Sequence, residues 1–159
     1  MQNSTSRTLY LIRHGHTGSG KRCISRTDIP LDEFGAHQAK RLGAWAAGKK
    51  LAAVYSSPLQ RALQTAGALT SLPVAVRDEL REVDVGEWEG LTFDEIKNRY
   101  PGDFAKRGER PGTHPPPGGE SIDGAGARLL ECLQSILSGS EGDIAVVSHG
   151  GANRGALCA

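Results

Sequence analysis

Four short apolar runs punctuate the chain: Leu9–Ile12, LAAVYS at 51–56, Val74–Val76 and DIAVVS at 143–148. Each ends where polar or glycine-bearing residues gather. The first of them lacks clean alternation, as a strand buried on both faces does. The segments between them read as helices. The stretch 32–48 has Asp32 as N-cap, a stripe of Phe34, Ala39, Leu42 and Ala46, and Gly48 at its end. Residues 57–69 place Ser57 at the N-cap, Pro58 at the first helical position and Gln60 in a capping box. Phe93–Tyr100 is expected to be a short helix stopped by Pro101, and Arg107–Gly119 an exposed loop rich in proline and glycine. Ile122–Leu137 repeats apolar residues at helical spacing. Strands alternating with helices predict an α/β fold, a three-layer sandwich whose mostly parallel central sheet is flanked by helices. The 159 residues are enough for one domain, 1–159.

Sheets of this kind bind ligands at the carboxyl ends of their strands. The chemically loaded residues fall there. Arg13 and His14 follow the first strand, Ser56–Arg61 the second, Arg81 and Glu82 the third, and His149 and Gly150 the last.

The stretch RHGHTGSGKR, residues 13–22, holds two phosphate chemistries in one spelling. Gly15–Lys21 matches G-x-x-x-x-G-K, but a nucleotide-binding loop needs Ser or Thr next, to hold magnesium, and a helix starting there. Here Arg22 follows, then a loop up to Pro30, and Asp143 begins its strand instead of ending it. A P-loop hydrolase is disfavoured. The alternative is a histidine nucleophile. A neutral imidazole can attack phosphorus and divide the reaction into two easier displacements, provided its other nitrogen donates a hydrogen bond that fixes the tautomer. Cations and N–H groups must surround the transferring phosphoryl oxygens. Arg13 adjoins His14; Arg61 stands in a helix's first turn, where the dipole favours an anion; His149 offers a further cation or donor beside the small Gly150 and Gly151. A carboxyl such as Glu82 would protonate the leaving alkoxide and later accept a proton from water. Its segment, REVDVGEWE, also holds Asp84, Glu87 and Glu89.

In order along the chain, LYLIRHGHT, VYSSPLQRALQTA, LREVDVGEWEG, PPPGGES and VVSHGG resemble the motifs of the histidine phosphatase superfamily, the phosphoglycerate-mutase-like proteins. The likeness runs from about Leu9 to the C-terminus. It implies that His14 carries the phosphoryl group and that Arg13, Arg61, His149 and Gly150 bind it. It also implies that Glu82 is the general acid and base, with no metal or other cofactor. There are departures. His16 stands where the family has Glu or Gln, Gly20 where Asn is frequent, and Ser25 where Gly is usual. Relatives continue through the rest of a helix and at least one more strand, whereas this chain stops at Ala159, ten residues after His149. It therefore reads as short at its C-terminus.

The cover between Glu82 and His149 is thin and admits water, so hydrolysis of a small phosphomonoester is expected over mutase-type transfer. TDIPL and PPPGGES resemble the small phosphatase branch that includes alpha-ribazole phosphatase, a lead toward alpha-ribazole 5'-phosphate. A phosphate-binding module with little turnover is the remaining alternative. A metal site built from His14, His16 and either His149 or Asp84 is disfavoured, because Arg13 and Arg61 would repel the cation. Trp88 is expected in the core and His37 on the surface. His16 lines the pocket mouth or is inert, and His114 sits in the proline-rich loop.

The near-neutral net charge of +1 points to neither nucleic acid nor a membrane surface. No run is long enough to span a bilayer, and the polar Met1–Arg7 does not read as an export signal. Cys23, Cys132 and Cys158 are odd in number and widely spaced, so reduced thiols and a cytoplasmic location are expected. A homodimer is left open.

Overall fold

The computed structural model describes residues 7–159; Met1–Ser6, most of the polar stretch read above, lies outside them. The elements run β1 (Leu9–Arg13), α1 (Glu33–Ala46), β2 (Leu51–Ser56), α2 (Gln60–Gly67), β3 (Val74–Val76), α3 (Phe93–Arg99), α4 (Pro101–Glu109), α5 (Ile122–Ser138), β4 (Asp143–Ser148) and α6 (Gly150–Leu157). The four strands form one sheet in the order β1-β4-β2-β3, with every pairing parallel.

β4 shows why the sheet is a middle layer. Ile144 and Val146 join Leu129, Leu133, Ile136 and Ala152 in a cluster with α5 and α6. Ala145 and Val147 pack instead with Ala46, Ala62 and Ala66 from α1 and α2. Successive side chains of a strand point to opposite faces, so a strand buried on both is apolar throughout. The result is the expected three-layer α/β sandwich. α5 and α6 approach closely at Gly126 and Gly155, where a Cβ on either would collide with the other helix's backbone. No helix among the described residues is long and apolar enough to cross a membrane. The three cysteines are free.

Local expectations need four corrections. Phe34 is not in the core of α1: it is 60% exposed, and the buried face is Gly35, Ala39 and Ala46. Gly35 belongs to that face because any side chain there would strike the His16 carbonyl. Asp32 does cap α1, accepting from the Gly35 N–H. Ser57 does not cap α2, which starts at Gln60 with no side-chain cap. Pro101 does not only stop α3; it also opens α4 from the first helical position. The stretch expected as an exposed loop, Arg107–Gly119, is helical up to Glu109 at the end of α4, and it is not wholly exposed, since Pro116 is buried. Trp88 is buried and His37 exposed, as expected.

Candidate active site

β1 and β4 end side by side. Arg13 is in register with Ser148, and the His14 N–H donates to the Ser148 carbonyl at 3.1 Å. The next residue of each chain segment is a histidine, so pairing brings His14 and His149 together, ring centroids 5.0 Å apart at 60°. His14 Nδ1 lies 2.7 Å from the Gly15 carbonyl oxygen. A carbonyl can only accept, so Nδ1 carries the hydrogen and Nε2 keeps its lone pair in the neutral ring. Burial, then the charges of Arg61 and Arg13, pull the His14 pKa from 6.5 to about 4 against the opposing Gly15 bond. His14 lines a cavity of about 520 Å³ with Arg13, Thr17, Ser19, Gly20 and Gln38.

Arg61 is in the first turn of α2 and only 2% exposed. Its Nη1 donates to the Thr27 carbonyl at 2.9 Å and its Nη2 to the Ser25 carbonyl at 2.8 Å. The Arg13 side chain lies along Gly150: a Cβ there would stand 3.3 Å from Arg13 Nε. His149 is fully buried, its Nε2 2.8 Å from the Ser57 hydroxyl. That bond is the work Ser57 does in place of helix capping. Burial first, then Arg61 and His14, lower the His149 pKa to about 2. His149 is therefore neutral at ordinary pH, which removes the cation half of its expected role and leaves the donor half. Its Nδ1 is buried with no partner among the described residues.

Glu82 reaches the start of α6. Its carboxylate accepts from the N–H groups of Gly151 at 3.2 Å, Ala152 at 3.0 Å and its neighbour Val83 at 2.8 Å. His149, the N-cap of α6, makes no side-chain cap bond, so Glu82 supplies those acceptors from another part of the chain. Among the charges on Arg61 that oppose the effect of its burial, that of Glu82 is the largest. The other carboxylates of the segment are engaged elsewhere. Asp84 pairs with Arg26 at 2.7 Å, Glu87 accepts from the Tyr100 hydroxyl at 3.0 Å, and Glu89 grips residues 25–27.

His16 lines the cavity; its Nδ1 is 2.6 Å from Asp32, and its ring meets the exposed Phe34 ring edge to face with centroids 5.7 Å apart. His114 lies apart from this cavity, its Nε2 3.1 Å from Asp103. Among the described residues no three His, Cys, Asp or Glu side chains cluster as metal ligands do. Residues 18–21 form a turn, Arg22 bridges to Thr92, and the next helix waits until Glu33. Gly15–Lys21 thus lacks the helix start that a nucleotide loop requires.

Sequence reasoning assigned no role in the site to Ser25, Thr27, Glu89 or Thr65. Thr65 takes the Gly15 N–H at 3.0 Å and donates to the Arg61 carbonyl at 2.7 Å. The available signal was Ser25, noted as a departure: it is buried, and its carbonyl is one of the two holding Arg61.

A profile described as histidine phosphatase superfamily (branch 1) matches residues 9–159. A bifunctional protein of Mycobacterium tuberculosis is 40% identical over 152 residues, which are 91% of this chain and 42% of that protein. The chain thus spans about two fifths of the length of that curated relative. Two solved structures share the fold. A mycobacterial glucosyl-3-phosphoglycerate phosphatase complexed with VO3 superposes with a TM-score of 0.87 at 31% identity, covering 96% of this chain and 81% of that one. The alpha-ribazole phosphatase of Shigella flexneri gives 0.82 at 26% identity, covering 91% and 75%.

Proposed function

The chain belongs to the histidine phosphatase superfamily, and on that premise we propose that it hydrolyses small phosphomonoesters, without a metal, through a phosphohistidine on His14. One observation carries the reading: His14 is neutral, tautomerically fixed by Gly15, and set beside Arg13, Arg61 and His149 at the strand ends. The free Nε2 attacks phosphorus, and the bond from phosphorus to the ester oxygen breaks. Arg13 and Arg61 balance the charge on the equatorial oxygens. If the Ser57 hydroxyl donates to His149 Nε2, the hydrogen sits on the unpartnered Nδ1, ready for a phosphoryl oxygen. Glu82 takes part as the carboxylic acid: it gives its proton to the departing alkoxide and is left a carboxylate. It then takes one from the water that attacks the phosphohistidine, breaking the P–N bond and releasing phosphate. In the resting structure three N–H groups hold Glu82, so its carboxyl must exchange part of that grip for the substrate.

A panel of phosphomonoesters, run with chelator present, tests this. It includes phosphoserine, glucosyl-3-phosphoglycerate and alpha-ribazole 5'-phosphate. The expected result is turnover by the wild type, transient labelling of His14, none of either in His14→Ala, and about a hundredfold loss in Glu82→Gln that is worst for poor leaving groups. Activity surviving in His14→Ala, or abolished by the chelator, would sink the reading.

A further inference from the structure

Glu89 is the last carboxylate of REVDVGEWE, and it makes its bonds to the loop that holds Arg61. Its donors are the Ser25 N–H at 3.0 Å, the Ser25 hydroxyl at 2.5 Å, the Arg26 N–H at 3.3 Å and the Thr27 N–H at 3.0 Å. Ser25 and Thr27 are the two residues whose carbonyls take the Arg61 guanidinium. Each carbonyl that aims the arginine thus belongs to a residue whose own N–H is gripped by Glu89. The Ser25 hydroxyl also accepts from the Val85 N–H at 3.2 Å, tying the loop to the backbone three residues beyond Glu82. A long arginine side chain loses much rotamer freedom when fixed, so its orientation depends on acceptors that are themselves immobile.

We infer that Glu89 is a positioning residue for Arg61: its carboxylate clamps residues 25–27 so that the Ser25 and Thr27 carbonyls hold the guanidinium fork in one orientation. What Arg61 then does rests on the phosphatase reading; where it is held does not. The chemistry calls for a carboxylate, because four donors converge on one group and an amide would turn its own NH₂ against some of them. Burial would raise the Glu89 carboxyl, but the hydrogen bonds from Ser25 and Thr27 outweigh it and hold it below its ordinary range. The group is charged at neutral pH, as four donors require.

The test uses Glu89→Gln, Arg61→Lys and the double variant, read in two ways. The first is NMR of the Arg61 side chain. Separate, slowly exchanging Nη hydrogens are expected in the wild type, and a merged, fast-exchanging signal in Glu89→Gln at unchanged far-UV dichroism. The second is kinetics with a phosphomonoester and inhibition by inorganic phosphate. Glu89→Gln should lose about tenfold to a hundredfold in kcat/KM, the scale at which supporting hydrogen bonds act on a site. In the Arg61→Lys background the same change should cost less than about threefold, because the two act as a unit. Unchanged Arg61 signals in Glu89→Gln, or losses that simply multiply in the double variant, would overturn the inference. A wild type that neither hydrolyses esters nor binds phosphate, with Arg61 signals still merging in Glu89→Gln, would leave the positioning standing and remove the phosphatase reading. Should Glu89→Gln not fold, Glu89→Asp keeps the charge, shortens the reach and carries the same readouts with smaller effects.

Discussion

Acidifying the protein from pH 7 to pH 5 should leave the His14 ring almost untouched. An ordinary histidine at 6.5 would be only about 3% neutral at pH 5, whereas one at about 4 is about nine-tenths neutral there. The cause is mainly the burial of the ring, then the charges of Arg61 and Arg13, so Arg61→Gln should move its midpoint upward. The same shift links to stability. Between pH 6.5 and about 4 the unfolded chain binds a proton at this position that the folded chain refuses. Stability therefore rises with pH across that window and is lost on acidification, by up to about 2 kcal/mol at pH 5 from His14. His149, lowered to about 2, acts in the same direction. A long-range nitrogen–proton NMR titration of the imidazoles, assigned with His14→Ala, reads both midpoint and tautomer. A His14 midpoint near 6.5, or a ring protonated on Nε2 when neutral, would refute the nucleophile argument at its base.

Two further outcomes follow from packing. In Gly151→Ala the new Cβ would stand 2.7 Å from Glu82 Oε1 and 2.8 Å from a Val83 methyl, displacing the carboxylate. Turnover of esters with poor leaving groups should fall about tenfold to a hundredfold with inorganic phosphate inhibition little changed, and steady-state kinetics would expose any other pattern. Leu129→Ala removes a fully buried side chain from the α5 face of the core and should cost about 2–5 kcal/mol. That cost should be seen in urea as a lower midpoint with an unchanged slope.

The strand ends were legible because two rules agree there: buried parallel strands are apolar throughout, and ligands gather where they stop. Arg13, His14, Arg61 and His149 were marked this way, while Glu82 was singled out from the carboxylates of its segment only by the family resemblance; the structure places the five around the ends of β1 and β4, the start of α2 and the start of α6. Where a tertiary partner takes over a local motif, the sequence misleads. Ser57 spells a helix cap, yet its hydroxyl serves His149 instead, and the helix begins later. Phe34 misled because the first turn of α1, unlike Ala39 and Ala46 further along, is set by closeness of approach and not by hydrophobicity. The buried position is a glycine, which no hydrophobic stripe records. Glu89 was hidden among carboxylates of the same spelling, and only the folded loop distinguishes a clamp from solvated charge.

The glycine contact between α5 and α6 reaches further than the core. α6 is a wall of the hydrophobic interior at Ala152 and Ala156, and its first amides are the grip on Glu82. The height at which α6 rides over α5 is set by bare backbone at Gly126 and Gly155, so the position of the Glu82 carboxylate is calibrated from outside the cavity. A methyl group added at either glycine would lift α6 from α5 and shift the Glu82 carboxylate with it.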